Sequence, residues 1–306
     1  TRALMFATAT ALILAGCGGD AGTTTTDAST TTSVMATTTS STVAVTSTAP
    51  STTTTTLGDR GSDALLVIGD WGSGTLPQGA VAGAMMRYAE DNAVEAILTT
   101  GDNFYSDDAE FLMHPFGWAT EAGIPFWITW GNHDLDSAAR IAAVNEAFDD
   151  PPRWTTHRWG NVLVVILDSN QPDSDDQIDF LTETLADTDL PTLVVFHHPP
   201  YRCGSYGHNE TIQQNWVTRF DDDVLLVLSG HEHTYERFED GGITYVVTGG
   251  GGATLTEVGA CPAVGPQASA AESTHHFLVL EQADNVTVTV VDTGGEPIDE
   301  FELALP

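Results

Sequence analysis

Short continuous runs of apolar residues recur along this chain and limit it to a few kinds of fold. They occupy residues 64–68, 96–98, 124–128, 162–167, 193–196 and 224–228. Runs of this kind predict β-strands that are covered on both faces. Segments with helical spacing lie between them, at residues 80–92, 138–148 and 176–185. Because strands and helices alternate, the sequence predicts an α/β layered domain.

The pattern changes after residue 242, where apolar and polar residues alternate with period two, as in residues 287–290. This alternation predicts antiparallel strands with one face toward a core. We expect these strands to close a second sheet of the same domain, which then covers residues 63–306.

The first 62 residues have a different composition and predict two separate segments. Residues 1–17 contain a short apolar stretch that ends at Cys17. The stretch is shorter than the about 20 residues that cross a bilayer, and it has the length of a signal-peptide core. Residues 18–62 are rich in Thr and Ser and poor in large apolar residues, so they predict a disordered linker.

The residues before Cys17, Leu14-Ala15-Gly16, resemble the lipobox of bacterial lipoproteins. The resemblance implies that the mature chain begins at a lipidated Cys17 and is anchored at the extracytoplasmic face of the bacterial cell envelope. An ordinary signal peptide, followed by secretion, is the alternative.

The charge of the chain argues against several classes of partner. The chain has 43 acidic residues, 9 basic residues, no lysine and a formal net charge of −34 at pH 7. Nucleic acids and anionic lipid surfaces are bound mainly by Lys and Arg, so neither is an expected partner. We expect a monomer that contacts a membrane only through the lipid on Cys17.

Two cysteines remain in the globular part, Cys203 and Cys261. In an exported chain they form a disulfide or stay as two buried thiols, and the sequence leaves both possibilities open. Neither belongs to a Cys-x-x-Cys pair, which argues against a structural zinc site.

Candidate metal ligands follow five of the six apolar runs. They are Asp70, Asp102, Asn132, His197, His231 and His233. Each one alone has an ordinary explanation as a turn, a helix cap or a surface histidine. The ordered series predicts a site, because ligands bind beyond the carboxyl ends of strands in α/β sheets. Oxygen and nitrogen donors without a thiolate suit zinc, iron or manganese, and the carboxylate of Asp102 is the candidate to be shared by two ions.

Five blocks carry these residues in a fixed order. They are Gly69-Asp70-Trp71-Gly72, Gly101-Asp102-Asn103-Phe104-Tyr105, Gly131-Asn132-His133-Asp134, His197-His198-Pro199 and Gly230-His231-Glu232-His233. Over roughly residues 64–250 the series resembles the calcineurin-like metallophosphoesterases, and within them the purple acid phosphatases, especially the small tartrate-resistant type. The resemblance implies an α/β fold of four layers, an α/β/β/α sandwich of two mixed sheets.

The same resemblance implies which residues bind two metal ions. An Fe(III) ion is expected on Asp70, Asp102, Tyr105 and His233. A second ion, Fe(II), Zn or Mn, is expected on Asp102, Asn132, His197 and His231. Tyr105 separates the subclasses, because a tyrosine at this place binds Fe(III) in purple acid phosphatases and is lacking in other metallophosphoesterases. Packing in the core is the alternative role for Tyr105.

The resemblance also implies roles for residues around the ions. His133 and His208 are the expected catalytic residues. His133 protonates the leaving alkoxide or binds the phosphate, and His208 contacts the substrate phosphate. His198, beside the expected ligand His197, is left as a neighbour of the site, and Asp168 is expected to order the site without binding metal.

We therefore expect an exported, lipid-anchored phosphatase that hydrolyses small phosphate monoesters by attack of a metal-bound hydroxide. Two alternatives stay open. One is a phosphodiesterase or nucleotide hydrolase with two divalent metal ions. The other is a surface protein that keeps the fold for binding without catalysis, and the presence of all seven expected ligands disfavours it.

Overall fold

The computed structural model describes residues 63–204 and 207–305. The predicted signal peptide and linker lie outside the described residues. Among the residues described, no helix combines the length and the apolar character needed to cross a bilayer.

Thirteen strands in the described residues form two mixed sheets. They are β1 Ala64–Ile68, β2 Val94–Thr99, β3 Phe126–Trp127, β4 Thr155–Trp159, β5 Val162–Ile166, β6 Thr192–Val195, β7 Val224–Ser229, β8 Tyr235–Asp240, β9 Ile243–Thr248, β10 Ala270–Glu272, β11 His276–Gln282, β12 Asn285–Asp292 and β13 Pro297–Ala304. The first sheet has the order β13-β12-β11-β1-β2-β3, and the second has the order β10-β8-β9-β7-β6-β5-β4.

Six α-helices in the described residues accompany the sheets. They are α1 Leu76–Asp91, α2 Ala109–Met113, α3 Gly117–Ala122, α4 Ala138–Phe148, α5 Asp175–Ala186 and α6 Glu210–Asn215. Helix α1 begins before the predicted residue 80, because Thr75 caps it by accepting the Gln78 N–H and Pro77 is compatible with a first turn. The short helices α2, α3 and α6 were not predicted, since one or two turns leave little periodicity in a sequence.

Successive residues of the buried strands point into different cores, and this alternation makes the four layers. Leu65 and Val67 of β1 belong to the core between the two sheets. Leu66 and Ile68 belong to a second core, which the first sheet shares with α1 and α4. A third core lies between the second sheet and helices α5 and α6. The predicted α/β/β/α sandwich of two mixed sheets is therefore confirmed.

The predicted role of the C-terminal strands is wrong in part. Strands β9 and β10 belong to the second sheet, but β11, β12 and β13 extend the first sheet, where β11 pairs antiparallel with β1. The reason is burial. Strand β1 is apolar on both faces, and β11 is itself almost wholly buried and covers the edge that β1 would otherwise expose.

Cys203 and Cys261 form a disulfide, which decides between the two possibilities that the sequence left open. The bond joins the loop after β6 to the loop between β9 and β10. A backbone hydrogen bond from Gly204 N–H to Ala260 O, 3.0 Å long, lies beside it.

Candidate metal centre

The seven predicted metal ligands come from loops that follow five strands of both sheets. Loops after β1, β2 and β3 of the first sheet carry four ligands with oxygen donors, here called the oxygen side: Asp70, Asp102, Tyr105 and Asn132. Loops after β6 and β7 of the second sheet carry three histidines, here called the nitrogen side: His197, His231 and His233. Direct contacts between the two sides gather all seven side chains into one cluster.

The ligand set predicted for Fe(III) is brought together around the hydroxyl of Tyr105. This oxygen lies 3.2 Å from Asp70 Oδ1, 3.2 Å from Asp102 Oδ2 and 3.1 Å from His233 Nε2. His233 Nε2 also lies 3.3 Å from Asp70 Oδ1. A single ion in the middle of these four donors would replace their mutual contacts.

The set predicted for the second ion is brought together around the side-chain oxygen of Asn132. His197 Nε2 and His231 Nδ1 each lie 3.1 Å from Asn132 Oδ1. His197 Nε2 is also 3.4 Å from Asp102 Oδ1. Because Asp102 turns Oδ2 toward Tyr105 and Oδ1 toward His197, its carboxylate lies between the two sets, as a shared ligand must.

Three of the seven residues have a left-handed backbone conformation, with φ of 55° at Asp70, 50° at Asp102 and 71° at His231. Such residues cost of order 1–2 kcal/mol outside glycine and persist where their surroundings impose them. One such constraint joins the two sides, since His231 N–H donates to Asp70 Oδ2 over 2.9 Å.

Two glycines allow the loops to approach this closely. A Cβ on Gly131 would lie 2.2 Å from Asp102 Oδ1, and a Cβ on Gly230 would lie 2.4 Å from Asp70 Oδ2. Both distances are far below a carbon–oxygen contact, so a side chain at either position would displace a carboxylate of the site.

The burial and charge of the cluster fit bound cations. Asp70 and Asp102 are 0% and 1% exposed, and a buried carboxylate needs a positive partner. Burial raises the pKa of Asp70 above its usual range. Burial by itself lowers the pKa of His197, but Asp102 outweighs it and the pKa rises to about 10. The site therefore attracts positive charge, and its oxygen and imidazole donors suit iron, zinc or manganese.

Backbone carbonyls orient two of the histidines. His197 Nδ1 donates to Thr100 O over 2.9 Å, and His233 Nδ1 donates to Thr254 O over 2.7 Å. A neutral ring that donates from Nδ1 presents the lone pair of Nε2, which is the form that binds a metal ion.

His133, a predicted catalytic residue, lies at the edge of the cluster. Its backbone N–H donates to Asp102 Oδ1 over 2.8 Å, and its ring packs against Tyr105 with centroids 4.6 Å apart. Its Nδ1 lies 2.8 Å from Asp136 Oδ2. Arg140 Nη1 donates to His133 O over 2.9 Å. Because Nδ1 already has Asp136 as its partner, Nε2 is the ring nitrogen that can contact a substrate.

His208, the other predicted catalytic residue, has different neighbours. Its Nδ1 accepts the Arg202 N–H over 3.3 Å, and its ring packs edge-on against Tyr201. The chain approaches the ring again at Gly265. Within the part of the chain that the structure describes, none of these contacts of His208 involves a predicted metal ligand. The role of His208 stays a prediction.

Asp134 supports the loops that carry the oxygen side. No role was predicted for it, although it lies in one of the five blocks. It is fully buried, and its carboxylate accepts from Phe104 N–H, Gly131 N–H and Asn103 Nδ2 over 2.8–2.9 Å. Burial, together with Asp102, raises the pKa of Asp134 to about 6. These bonds join the loop after β2 to the loop after β3.

Asp168 organises the edge of the second sheet. It is fully buried and bonded to Arg153, and its N–H donates to Gln177 Oε1. Asn170 Nδ2 donates to Asp168 Oδ1 over 2.8 Å and to Trp130 O over 3.3 Å. Asp168 thus connects β5 to the backbone that leads into Asn132, through contacts with residues other than the seven predicted ligands.

Known proteins with similar sequences include phosphoesterases of two kinds. Purple acid phosphatase 3 of Arabidopsis thaliana is 25% identical over 234 aligned residues, covering 62% of this chain and 63% of that protein. A probable cyclic nucleotide phosphodiesterase of Synechococcus sp. is 27% identical over 163 residues, covering 50% of this chain and 63% of that protein. The chain thus spans less than two thirds of the length of either relative.

Solved structures with the same architecture include a purple acid phosphatase, PPD1, from yellow lupin seeds. It has a TM-score of 0.67 and 18% identity, covering 80% of this chain and 54% of that chain. GAP50, the anchor in the inner membrane complex of Plasmodium, also has a TM-score of 0.67, with 19% identity, covering 81% of this chain and 90% of that chain. Likeness at this level of identity shows a shared fold.

A sequence profile of a known family covers the whole candidate centre. The profile of the calcineurin-like phosphoesterases matches residues 64–235, which are more than half of the chain and include all seven predicted ligands. The two-sheet fold, the cluster of oxygen and imidazole donors and this match agree with one another. The chain belongs to the calcineurin-like phosphoesterase family.

Proposed function

We propose that this chain is an exported, lipid-anchored metallophosphatase of the purple acid type, which hydrolyses small phosphate monoesters with two metal ions. One observation carries the proposal. The Tyr105 hydroxyl lies within 3.2 Å of Asp70, Asp102 and His233, at the place where a phenolate would complete a ligand set for Fe(III).

The residues divide the chemistry between binding and proton transfer. When bound, the two ions supply positive charge for the phosphoryl oxygens and lower the pKa of water toward neutrality. Asp102 holds the two ligand sets at a short separation, because its two oxygens face opposite sets. Asp70, Tyr105 and His233 complete one set, and Asn132 with the two remaining histidines completes the other.

His133 is assigned to the leaving group. Its Nδ1 is engaged by Asp136, so Nε2 of the protonated ring gives the proton to the departing ester oxygen, which leaves as an alcohol. The bond between Asp136 and Nδ1 holds the ring in one orientation, and the backbone bond from His133 to Asp102 keeps it beside the cluster.

Metal analysis and an optical spectrum of the purified protein test the proposal. We expect two ions per chain with at least one iron, hydrolysis of p-nitrophenyl phosphate, and a visible absorption band from the tyrosinate–Fe(III) pair. Tyr105→Phe should lose the band while the protein stays folded. Tyr88→Phe, a change to another tyrosine whose hydroxyl bonds to Glu281, is the matched control. An iron-free, colourless and active enzyme contradicts the purple acid assignment.

A phosphodiesterase with two divalent ions is the second candidate, and the similarity to the Synechococcus protein favours it. The two candidates differ in how many ester bonds the substrate carries. A purple acid phosphatase of the proposed kind turns over p-nitrophenyl phosphate faster than bis-p-nitrophenyl phosphate. The reverse preference, together with unchanged activity in Tyr105→Phe, supports the phosphodiesterase.

Export and anchoring rest on two features of the chain. The apolar stretch in residues 1–17 ends at Cys17, and the disulfide between Cys203 and Cys261 is of a kind that persists in oxidising compartments. Mass spectrometry of the N-terminal peptide of the mature protein tests this part. A diacylglycerol on Cys17 supports anchoring, and Cys17→Ala should move the protein from the membrane fraction to the medium.

The proposed substrate is small because the protein surface repels polyanions. A net charge of −34 disfavours the approach of nucleic acids, whereas a small ester needs only the positive charge of the site itself. We propose that the protein acts as a monomer in the cell envelope and that the lipid is its only contact with the membrane.

A further inference from the structure

His198 follows the predicted ligand His197 directly, and the ligand sets leave it without a role. The ring of His198 nevertheless lies next to two histidines of the nitrogen side, His197 and His231. One of its ring nitrogens is within 4.8 Å of ring nitrogens of both His197 and His231. Its ring centroid is 4.5 Å from that of His231 and 4.9 Å from that of His197. A group bound between these histidines would therefore meet the ring of His198.

Ser169 determines which nitrogen of His198 carries the proton. The backbone N–H of His198 donates to Ser169 Oγ over 2.8 Å, and the same oxygen lies 2.9 Å from His198 Nδ1. Ser169 is 4% exposed, so its hydroxyl proton needs an acceptor inside the protein. Within the described residues, His198 Nδ1 is the acceptor in reach of that proton. Nδ1 therefore accepts, and the proton of the neutral ring is on Nε2.

The two neighbouring histidines thus have opposite hydrogen-bonding states. His197 donates from Nδ1 to Thr100 O and offers the lone pair of Nε2 to a cation. His198 accepts at Nδ1 from Ser169 and offers an N–H from Nε2. An N–H is not a metal ligand, but it is a donor for an anion held next to the ion. His198 is therefore suited to bind the substrate and not the metal.

We propose that His198 is a further catalytic residue, which donates a hydrogen bond from Nε2 to a phosphoryl oxygen of the bound ester. Ser169 is the positioning residue that keeps His198 in the donor state. The inference rests on the proposed function. It gives His198 the phosphate contact that sequence resemblance assigned to His208, whose ring lies against Tyr201 and the Arg202 backbone.

A first experiment needs neither metal nor activity. Long-range ¹H–¹⁵N correlation spectra of the metal-free protein report the tautomer of each histidine ring. We expect His198 to show a proton on Nε2 and a bare Nδ1. In Ser169→Ala the His198 signals should shift toward a mixture of tautomers. A proton on His198 Nδ1 in the wild-type protein overturns the proposal.

A second experiment measures inorganic phosphate binding to the metal-loaded protein by calorimetry. Loss of one hydrogen bond to a charged oxygen corresponds to about 10- to 100-fold weaker binding. We expect His198→Leu to keep two ions per chain and to show that loss, and His198→Gln, which retains a donor, to recover part of it. His114→Leu, a change to an exposed histidine, should bind phosphate as the wild type does.

The outcomes separate this proposal from the function on which it rests. Loss of a metal ion in both His198 variants makes His198 a ligand and overturns the proposal. Unchanged phosphate affinity in His198→Leu also overturns it, while turnover by the wild-type enzyme leaves the proposed function intact. If the wild-type protein binds phosphate through His198 but hydrolyses no ester, the proposed function fails and the binding role of His198 stands.

Discussion

The oxygen side and the nitrogen side of the candidate centre are supported in different ways. The carboxylates of the oxygen side accept from backbone N–H groups, Asp70 from His231 and Asp102 from His133. On the nitrogen side, His197 and His233 donate to acceptors, the carbonyls of Thr100 and Thr254. A carboxylate that binds a metal ion is stabilised by hydrogen-bond donors to its oxygens. An imidazole ring that binds a metal ion through one nitrogen needs a hydrogen-bond acceptor for the N–H of its other nitrogen.

The two sides also differ in how their loops are held. The loops of the oxygen side are joined by the buried side chains of Asp134 and Asn103. The loops next to the nitrogen side are joined covalently, through Cys203 and Cys261. Neither side contains a complete ligand set, so the site exists only where the two sheets keep their relative position.

Substitution of Asp102, the residue shared by both predicted ligand sets, should cause the largest loss of bound metal and of activity. Asp102→Ala removes the carboxylate between the sets, so we expect fewer than one ion per chain and a fall in kcat/KM of more than about a hundredfold. Asn132→Ala, which touches one set, should lose one ion and keep the other. Metal analysis and steady-state kinetics measure both effects. Two ions retained in Asp102→Ala would exclude the shared role.

Removal of the disulfide tests the covalent support beside the nitrogen side. The bond closes a loop with a sequence separation of 58 residues, so Cys203→Ser with Cys261→Ser should lower the free energy of unfolding by about 2–4 kcal/mol. Urea unfolding of the metal-free protein measures the change, and the wild type under reducing conditions should reproduce it. Equal stability of the oxidised and reduced wild type contradicts the prediction.

His276 joins the two sheets and should make stability depend on pH. It is fully buried on β11 of the first sheet, its Nδ1 donates to Thr274 O, and its Nε2 lies 3.0 Å from Thr248 Oγ1 at the end of β9 in the second sheet. Burial lowers the pKa of His276 to about 4. Between about pH 6.5 and 4 the unfolded chain takes up the proton first, so the stability from this residue falls as the pH falls.

We expect this pH-dependent contribution of His276 to the free energy of unfolding to be about 3 kcal/mol. It is fully present above pH 6.5 and absent below pH 4. The measurement is the difference in unfolding free energy between the wild type and His276→Gln at a series of pH values, which cancels the titration of all other groups. The difference should narrow on acidification. A difference that is constant from pH 7 to pH 4 contradicts the assignment.

Substitution of Asp134, which supports the loops of the oxygen side, should cause the smallest change in the free energy of unfolding. In Asp134→Asn an amide NH₂ faces an N–H donor that the carboxylate had satisfied, so we expect a loss of about 2 kcal/mol at pH 7. Asp179→Asn, at an exposed position on α5, is the matched control and should change stability little. Urea unfolding measures both variants. An equal effect at the two positions would remove Asp134 from the support of the site.

Much of the site could be predicted from the sequence because its residues directly follow buried strands. The end of a strand is visible in the sequence as the end of an apolar run, and the parallel strands of one layer end at the same edge. Asp70, Asp102 and Asn132 follow strands in this way, and contacts shared through Tyr105 and His197 bring them together. The role of His208 rests on the family resemblance and stays a prediction, because the contacts of a loop residue are not visible in the sequence.

The supporting residues could not be predicted in the same way. Asp134 and Ser169 are ordinary residues of polar turns in the sequence, and their roles depend on which backbone groups come within 3 Å of them. Those groups belong to neighbouring loops, or to a neighbouring strand end, that are distant along the chain. The direction of a hydrogen bond, such as the one that sets the tautomer of His198, requires these positions.

The sequence by itself determined the strands, their polar ends and the chemical type of the donors, because period, burial and residue type are local properties of a chain. Only the tertiary structure decided that the oxygen ligands end strands of one sheet and the histidines end strands of the other. It also decided that β11 to β13 extend the first sheet. The physical reason is that sheet membership depends on which apolar faces bury each other, and those faces are far apart in sequence.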